Sequence, residues 1–484
     1  MTVRYDAVVI GGGLLGGALS WMLAGEGASV LLLEKDQLNQ HASGQNAGSL
    51  HFQLEYRMVE NGWESARTAA AAMPLHLHAA EAWTRLGDEL GESVGVVQRG
   101  GFMLAETAEQ VAVLERKVGL EQEWGLDVSL LDGDESRRVA PYLSDSVVAA
   151  AYCPLEGKAE TRIAGPALVR GAVRRGAHVR THTRVTALER DAGGWRVTAR
   201  GPEGELHVHA TTVMIAAGVW TTEVGEIAGA QLPTIPLALM MSVTAPTAPF
   251  IDHLVQHAGT KLSLKQTKEG TVLIGGGWPA ALGRRAGAPD LEVRPRLLAE
   301  SIVGNARAAI GVVPGTARLP VVRSWAGTTT ITPDQLPLVG RCRGAPGCSW
   351  PPGVGVHSRT ELRPRAVRSR RRAGAPGRPP AVRAGQIRSH GMKNEPLAER
   401  TAPRRCDVAF TVDGRRVIAA AGETVAGAML AAGERTFARR YGERRAPLCN
   451  MGTCFECAVT VDDAPLTRTC LTTVREGMDV RTDV

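Results

Sequence analysis

A glycine-rich turn joins two short apolar runs near the start of the chain. The run 7–10 (Ala-Val-Val-Ile) is rich in β-branched residues, as expected of a buried parallel strand, and Gly-Gly-Gly-Leu-Leu-Gly follows at 11–16 before a helical pattern. A second apolar run, 29–33, ends at Glu34, which lies 18 residues beyond the last glycine of the motif. This is G-x-G-x-x-G in a strand–turn–helix setting with an acid after the second strand. It predicts a Rossmann-like α/β domain with a dinucleotide site.

Each position of this motif has a physical role in holding a dinucleotide. The first glycine permits the tight turn, the second lets the backbone approach the pyrophosphate, and the third lets the helix pack closely on the strand. The helix N-terminus places its partial positive charge at the phosphates, and the acid accepts hydrogen bonds from the ribose hydroxyls. The predicted contacts are Gly11, Gly12, Gly13, Leu14, Leu15, Gly16, Glu34 and the adjacent Lys35.

The segment 41–53 is rich in small residues. Such a segment can run close along a flavin diphosphate and ring, and the alternative interpretation is a polar surface loop. Its stretch 43–51 (Ser-Gly-Gln-Asn-Ala-Gly-Ser-Leu-His) resembles the D-amino-acid oxidase-like superfamily of FAD enzymes, which includes glycine oxidase and sarcosine oxidase. The resemblance is in particular to flavin subunits of the opine oxidase, D-hydroxyproline dehydrogenase and hydrogen cyanide synthase type, and it favours FAD over NAD.

The resemblance covers about residues 4–341 and implies a layout for them. FAD-binding parts are expected at about 1–80, 145–230 and 320–341, and parts of an antiparallel substrate-capping sheet at about 81–144 and 231–319. Within the FAD-binding parts we expect a strand over 179–185, a β-meander over 195–209 and a strand-to-loop motif at 213–220. Further FAD contacts are thereby implied at Gly44, Gln45, Asn46, Ala47, Gly48, Ser49, Val185, Ala217, Gly218 and Trp220.

The expected chemistry is hydride transfer from a carbon next to an amine nitrogen to flavin N5, giving an imine. His51 is one candidate for deprotonating the amine, because histidine titrates near neutrality, and a structural histidine is the alternative. A substrate carboxylate favours a bidentate arginine. Glycine oxidase-like enzymes place one just after Trp-Ala-Gly, where this chain has threonines at 328–330. Arg323 and Gln266 remain as candidate substrate contacts, and the identity of the amine or amino acid stays open.

Four of the eight cysteines fall within 22 residues near the C-terminal end. Their spacing, Cys449-x4-Cys454-x2-Cys457-x12-Cys470, is the pattern of a plant-type [2Fe–2S] site, in which three cysteines on one loop wrap the cluster and the fourth closes it. A zinc site is the alternative, but zinc prefers paired C-x2-C knuckles.

The residues upstream of these cysteines predict the fold that carries them. Two short β runs around Asp413-Gly414 indicate a hairpin, and Glu423-Thr424 indicates the start of a helix that ends at Gly433. We therefore expect a small α+β ferredoxin domain of the β-grasp type at 392–484. It resembles the iron–sulfur subunit of the same amine dehydrogenases and the corresponding part of the sarcosine oxidase alpha subunit.

The segment 342–391 separates the two predicted domains and is rich in arginine, proline and alanine without hydrophobic periodicity. One interpretation is a basic linker. The other is a frame-shifted translation that runs into a second reading frame starting at Met392. Between 341 and 391 there are twelve arginines and one acid, so this part alone has a charge of +11. Because the net charge of the whole chain is +7, the rest of the chain has a charge of −4. A charge confined in this way excludes a nucleic-acid-binding surface.

The apolar run 14–23 is interrupted by glycines and bounded by charged residues, so it predicts neither a signal peptide nor a membrane span. We expect a cytoplasmic protein, with peripheral contact at the inner face of the membrane left open. The two cofactor sites together predict an amine or amino-acid dehydrogenase. Its electrons would enter FAD, pass through the cluster and leave to a downstream carrier or quinone, and a larger flavoprotein subunit is the implied partner. The competing interpretations are an oxygen-using amino-acid oxidase with an incidental ferredoxin module, and a defective fusion product that only binds cofactors or transfers electrons.

Overall fold

The computed structural model describes residues 3–340, 406–434, 436–440, 443–447 and 456–482. The predicted linker at 342–391 and two of the predicted cluster ligands, Cys449 and Cys454, lie outside these residues. Within the described residues, no helix combines the length and the apolar character that crossing a bilayer requires.

The first 230 residues hold twelve strands and nine helices within the described part of the chain. The strands are β1 (Val3–Ile10), β2 (Val30–Leu33), β3 (Ser49–Leu50), β4 (Val97–Gln98), β5 (Gly101–Ala105), β6 (Ser129–Asp132), β7 (Ala149–Cys153), β8 (Gly157–Lys158), β9 (His178–Arg180), β10 (Arg184–Asp191), β11 (Gly194–Gly201) and β12 (Gly204–Ile215). The helices are α1 (Leu14–Gly25), α2 (Ala42–Gln45), α3 (Tyr56–Glu60), α4 (Trp63–Ala70), α5 (Met73–Leu90), α6 (Ala108–Glu123), α7 (Gly133–Val139), α8 (Thr161–Arg174) and α9 (Thr221–Ile227).

The remaining elements fall into two groups, one before and one after the segment that is not described. The first is β13 (Ile235–Thr244), β14 (Leu254–His257), β15 (Ser263–Gln266), β16 (Val272–Gly275), β17 (Arg284–Arg285), β18 (Ala288–Pro289), α10 (Ala299–Val312) and β19 (Val321–Ile331). The second is β20 (Cys406–Val412), β21 (Arg415–Ala420), α11 (Val425–Ala431), β22 (Ala438–Arg440), β23 (Glu443–Arg445), β24 (Ala458–Val461), β25 (Ala464–Arg468) and β26 (Asp479–Arg481).

A six-stranded sheet carries the glycine motif, in the order β10-β11-β12-β1-β2-β9. Strand β1 pairs in parallel with both β2 and β12. Side chains alternate along β1, so Ala7 and Val9 pack with helices α1 and α8 while Val8 and Ile10 pack on the opposite face with the β10–β12 meander. Burial on both faces explains why this strand is apolar at consecutive positions.

The predicted strand over 179–185 is two strands. Strand β9 ends at Arg180 and pairs with β2, whereas β10 begins at Arg184 and pairs with β11. His182 between them has φ +51, and its N–H donates to the carbonyl of Asp36. The chain is thus turned by contacts with the end of β2, which a local apolar pattern does not report.

The second large sheet, called here the cap sheet, has eight strands in the order β19-β13-β16-β15-β14-β5-β7-β6. Its β5–β14 pair is parallel, so the sheet is mixed and not purely antiparallel as expected. It also includes β7 and β19, which the sequence analysis assigns to FAD-binding parts of the chain. Pairing with β5 and β6 draws β7 into the cap sheet, and a long antiparallel ladder with β13 does the same for β19.

The C-terminal domain is built on a mixed five-stranded sheet in the order β21-β20-β26-β24-β25. The hairpin predicted at Asp413-Gly414 is present, with φ +49 and +76 at these two residues, as a type I′ turn requires. The predicted helix is present as α11, and the Thr424 side chain accepts a hydrogen bond from the Gly427 N–H at its start. Helix and sheet enclose one apolar core that contains Cys457 and Cys470.

Candidate functional site

The glycine turn after β1 is packed so closely that side chains are excluded. Gly11 has φ +112, and a Cβ there would overlap the carbonyl oxygen of Ala216 in the loop after β12. A Cβ on Gly16 would overlap the Gly11 carbonyl oxygen. A Cβ on Gly12 would lie 2.5 Å from the Leu38 side chain. The turn is therefore packed directly against the loop after β12 and against the start of its own helix, and only glycine fits at these positions.

Glu34 is held beside this turn by backbone amides. One carboxylate oxygen accepts from the Gly12 N–H at 2.6 Å, and the other accepts from the Asp36 N–H at 2.8 Å. Helix α1 has no acid in its first turn and no side-chain cap at Gly13. No carboxylate of α1 therefore neutralises the positive end of the helix dipole. The arrangement fits a ribose at Glu34 and a diphosphate at the start of α1.

The segment predicted as a small-residue loop is ordered by its own hydrogen bonds. Helix α2 occupies 42–45, and the Asn46 side chain then donates to the Ala42 carbonyl at 2.8 Å and accepts from the Gly48 N–H at 2.6 Å. Gly48 has φ +72 and packs against Ala159, where a side chain would not fit. The Ser43 hydroxyl accepts from the Leu14 N–H at 3.0 Å. These contacts join the segment to the glycine turn, which disfavours the alternative of an unattached surface loop.

A cluster of charged and aromatic side chains lies at the end of β2. Lys35 donates to Asp36 at 2.5 Å and to Glu292 at 3.1 Å, and its Nζ lies 4.0 Å from the centre of the Trp220 ring. His41 contacts Asp36 at 2.7 Å. Burial opposes ionisation of Asp36, but the hydrogen bonds from Lys35 and His41 outweigh it, so the pKa of Asp36 is lowered. The Trp220 Nε1 is buried and has no hydrogen-bond partner among the described residues, which leaves a donor for a ligand.

The strand-to-loop motif after β12 lies beside the glycine turn, because β12 and β1 are parallel neighbours. Ala217 precedes a short 3-10 helix over Gly218–Trp220, and Gly218 has φ +57. Val185 is buried at a register shift between β10 and β11. We use the term cradle for the glycine turn 11–16, Glu34, the segment 42–48 and the loop 216–218. These parts of the predicted FAD site are brought together, and their packing fits a dinucleotide.

A cavity of about 810 Å³ lies between the cradle, the cap sheet and the C-terminal domain. The cradle contributes Gln45, Asn46 and Ala47, and the C-terminal domain contributes Arg445, Glu456, Leu466 and Arg468. Cap-sheet residues on its wall include Thr267, Leu273, Arg323, Trp325 and Thr328. Arg323 and Trp325 are two residues apart on β19, so their side chains share the face that lines the cavity. The Trp325 Nε1 donates to the Gln45 carbonyl at 2.9 Å and fastens the cap sheet to the cradle.

Gln266 has a structural role and does not face the cavity. Its Oε1 accepts from the N–H groups of Phe250 and Ile251 at 2.8 and 3.0 Å, and its Nε2 donates to the Gly270 carbonyl at 3.0 Å. Gln266 and Thr267 are consecutive, so their side chains point to opposite faces of the sheet, and Thr267 is on the cavity wall. The prediction that Gln266 contacts substrate is corrected accordingly, because its amide is used to hold the loop that precedes β14.

His51 is positioned by polar partners at the junction of cradle and cap sheet. Gln256 Nε2 donates to His51 Nδ1 at 2.7 Å, and His51 Nε2 lies 3.5 Å from the Ser263 hydroxyl. The Glu156 carboxylate is fully buried and approaches His51 Nδ1 to 4.0 Å. Because an amide nitrogen only donates, the lone pair of Nδ1 is engaged and the ring proton lies on Nε2.

Behind His51 lies a buried chain of charged and polar side chains that was not predicted from the sequence. Lys117 donates to Gln53 at 2.8 Å and to Glu121 at 2.9 Å, and the Gln53 side chain donates to Glu156 at 3.1 Å. Burial raises the pKa of Glu121, and the attraction of Lys117 opposes the rise. Lys117 and Glu121 lie four residues apart on α6, a helical spacing that was a usable signal, but the sequence does not show that this helix face is buried.

Lys265 on β15 was not among the residues predicted from the sequence. Its side chain is almost fully buried, and its Nζ has no hydrogen-bond partner among the described residues. Burial lowers the pKa of Lys265 to about 7, while Glu160 acts to raise it and Lys158 to lower it. A lysine between Leu264 and Gln266 in a predicted cap strand was the available signal, but its environment depends on which face of β15 is covered.

Two of the predicted cluster ligands, Cys457 and Cys470, are within the described residues. Both are buried in the same core, one just before β24 and the other two residues after β25. The ladder between these strands pairs Ala458 with Arg468, which places both cysteines at the same end of the hairpin. Thr469 donates to the Cys457 carbonyl from its hydroxyl at 2.8 Å. This fits two ligands of one cluster, and the assignment of Cys449 and Cys454 remains a prediction.

The C-terminal domain contacts the rest of the chain close to the cradle. Arg468, two residues before Cys470, forms an ion pair with Glu269 and lies 3.9 Å from Glu160. Ala458 packs against Ile163 near the start of α8. The β24–β25 hairpin, whose end carries Cys457 and Cys470, therefore approaches the predicted FAD segment around the cavity.

The chain matches two family models. Residues 6–358 match the model described as FAD dependent oxidoreductase (DAO), and residues 405–484 match the 2Fe-2S iron-sulfur cluster binding domain. Glycine oxidase of Geobacillus kaustophilus is 27% identical over 354 residues, which cover 70% of this chain and 85% of that protein. An opine oxidase subunit of Rhizobium meliloti is 24% identical over 71% of this chain and 87% of that protein. Dimethylglycine dehydrogenase of Rattus norvegicus is 26% identical over 70% of this chain, which spans only 40% of that protein.

Solved structures give the same picture. The crystal structure of glycine oxidase from Geobacillus kaustophilus superposes with a TM-score of 0.61 at 25% identity, covering 72% of this chain and 88% of that chain. L-proline dehydrogenase from P. horikoshii gives 0.61 at 23% identity over 71% and 86%, a likeness that shows the fold. These matches confirm the resemblance inferred from 43–51 and the cluster domain inferred from the spacing of the four cysteines.

Proposed function

Since this chain belongs to the FAD dependent oxidoreductase family and carries a 2Fe-2S iron-sulfur cluster binding domain, we propose that it is an amine or amino-acid dehydrogenase. It oxidises a C–N bond to an imine and sends the electrons through its own [2Fe–2S] cluster to a downstream acceptor. FAD supplies the two-electron acceptor and the cluster a one-electron relay when both are bound. The named relatives support the substrate class, because they include a glycine oxidase, a dimethylglycine dehydrogenase and a component of an opine oxidase.

The proposed roles of the protein residues follow from their positions. The cradle holds the diphosphate at the start of α1 and the ribose at Glu34. Arg323, on the cavity wall, offers a forked cation to a substrate carboxylate. His51 presents its Nε2–H beside the cradle as a donor that orients the substrate. The proposed cluster ligands are Cys449, Cys454, Cys457 and Cys470.

The observation that carries the proposal is the composition of the cavity wall. Residues of the cradle, the cap sheet and the cluster domain all line one space. Arg468 lies two residues before the predicted ligand Cys470 and forms an ion pair with Glu269, which lies between β15 and β16 of the cap sheet. A cluster held at this place would be close to the flavin site, so electrons could pass from the flavin to the cluster without a separate carrier protein. This favours a dehydrogenase over an oxidase with an incidental ferredoxin module.

One relative, the opine oxidase component of Rhizobium meliloti, is itself named as a subunit, which supports a multi-subunit enzyme. We therefore propose a larger flavoprotein subunit as a partner and a carrier or quinone as the final acceptor. Expression of the chain alone and with candidate neighbouring subunits, followed by size-exclusion chromatography, tests this part separately from the chemistry.

The test of the proposed function uses the full chain loaded with FAD and the cluster. Glycine, proline, hydroxyproline and an opine are mixed with it anaerobically, and flavin absorbance is followed. We expect at least one of them to bleach the flavin, and turnover with an artificial electron acceptor to exceed turnover with oxygen. Bleaching with rapid oxygen consumption and peroxide formation would indicate an oxidase. No bleaching by any of the four would reject the proposed substrate class.

A further inference from the structure

The cap sheet offers a basic group that the proposed function leaves unused. Lys265 lies on β15 directly opposite Leu273 of β16, and two residues before Thr267. Both of these residues line the cavity. Side chains alternate along a strand and directly paired residues share a face, so the Lys265 side chain lies on the cavity side of the cap sheet.

The same face connects Lys265 to the cradle. Ser263 precedes it by two residues, and the Ser263 hydroxyl contacts the Ser49 hydroxyl at 3.2 Å and lies 3.5 Å from His51 Nε2. Lys265 is thus about 7 Å, or two strand residues, from the point at which the cap sheet touches the predicted flavin segment. The amine itself is buried and is not part of the cavity lining, so contact with a ligand in the cavity requires a movement of its four-carbon stem.

The charged groups around Lys265 leave its amine without a partner among the described residues. Lys158 of β8 donates to the Gln266 carbonyl, and Glu160 approaches Arg468 to 3.9 Å. Glu269, beyond the end of β15, is paired with Arg468. Burial outweighs the attraction of Glu160 and lowers the pKa of Lys265 to about 7, which favours the neutral amine.

His51 is poorly suited to take up a proton by comparison. Its Nδ1 lone pair already accepts a hydrogen bond from Gln256, and its Nε2 carries the ring hydrogen. Proton uptake at Nδ1 would break that bond and leave two donors facing each other. The lone pair of Lys265 has no such competitor within the described residues.

We propose that Lys265 is the group that takes up the proton which an ammonium substrate loses before its C–H bond is oxidised. An N–H bond of the substrate breaks, a new N–H bond forms at Lys265 Nζ, and the electron pair stays on the substrate nitrogen. No oxidant or reductant is involved in this step. The inference rests on the proposed function, since it concerns amine substrates, and it assigns to Lys265 the role for which the sequence suggested His51.

The pH dependence of flavin reduction by a panel amine tests the inference. In the native chain, the rate rises with pH around the pKa of Lys265 and then levels off. In Lys265→Met the substrate must lose its proton in solution, where alkylammonium groups titrate near about 10. We expect a loss on the order of 100-fold at about pH 7.5, and recovery to within about threefold of the native rate at about pH 10.

Two matched variants make this test specific. Lys268→Met removes an exposed lysine three residues away and should leave the pH profile unchanged. His51→Gln should lower the rate but keep the rise near the pKa of Lys265. If His51→Gln removes that rise while Lys265→Met keeps it, or if Lys265→Met lowers the rate equally at all pH values with its FAD content intact, the inference is overturned.

A binding measurement separates this inference from the proposed function. The probe is 2-aminoisobutyrate, which binds as an amine but has no hydrogen on its α carbon and cannot be oxidised there. At about pH 8, binding followed by flavin absorbance should release almost no proton from the native chain and about one per ligand from Lys265→Met. Equal release from both overturns the inference even if the panel bleaches the flavin. The predicted difference without any bleaching supports Lys265 and rejects the proposed function. No detectable binding together with no bleaching rejects both.

Discussion

The cradle and the cavity side of the cap sheet differ in what determines their geometry. The cradle is built from backbone groups, because its turn excludes side chains and the Glu34 carboxylate is held by two amide N–H groups. The cap sheet acts through side chains such as Arg323 and Lys265, whose positions depend on strand register. The cofactor site is thus set locally by glycine positions, whereas the substrate site is set by how distant strands pair.

The largest effect should come from adding one methyl group to the cradle. Gly16→Ala would place a Cβ on the Gly11 carbonyl oxygen, which only a shift of the turn can relieve. We expect a loss of about 3 kcal/mol in stability, at the upper end of what overpacking costs, together with loss of bound FAD. Thermal unfolding and FAD content after gel filtration measure both effects.

Gly119→Ala on α6 is the control for this change, since a Cβ there meets nothing within 4 Å. It should stabilise the chain slightly by its helix propensity. If Gly16→Ala retains FAD as well as Gly119→Ala does, the account of the cradle as a backbone-built site fails.

The next change, removal of the buried lysine of α6, should affect global stability but not FAD binding. Lys117→Met leaves the Glu121 carboxylate without its cation, and such losses cost about 3 kcal/mol in global stability without a direct effect on the cradle. The pKa of Glu121 is already raised in the folded state, so its protonated form is favoured by folding. The destabilisation should therefore be smaller at about pH 5 than at about pH 8, because stability is lost as pH rises through the folded-state pKa.

Denaturant unfolding at both pH values measures this, with Arg138→Met, an exposed residue of α7, as the control. The prediction concerns the cap alone. A drop in FAD affinity as large as the drop in stability would show that cap and cradle are not separable.

The smallest effect should come from losing the side-chain hydrogen bond of Trp325, which joins the cap sheet to Gln45 of the cradle. Trp325→Phe removes the donor to the Gln45 carbonyl and should cost about 1 kcal/mol, or about a fivefold weaker affinity for FAD. Fluorescence titration of the FAD-free chain measures it. Trp124→Phe, at an exposed site after α6, should have no effect. An equal change in both variants would mean that the contact with Gln45 does not support the cradle.

The same difference between local and long-range determinants explains which features could be predicted from the sequence. The glycine turn, Glu34 and the Asp413-Gly414 hairpin were predictable because their conformations are determined by neighbours within a few residues. Gln266 and Lys265 are adjacent in the sequence yet lie on opposite faces of β15. A shift of one residue in strand register would exchange the faces of the Gln266 amide and the Lys265 amine, so the sequence alone does not show which of them is on the cavity side. The sheet membership of β7 and β19 likewise depends on partners far along the chain, which local patterns do not contain.

The central claim is that amine oxidation at the cradle and the [2Fe–2S] cluster belong to one electron path in this chain. The most direct measurement is an anaerobic single turnover of the fully loaded protein with a substrate that bleaches its flavin, frozen at successive times for electron paramagnetic resonance. We expect the signal of the reduced cluster to grow in as substrate is consumed, without any added carrier. Complete flavin reduction with a cluster that stays oxidised throughout would contradict the account.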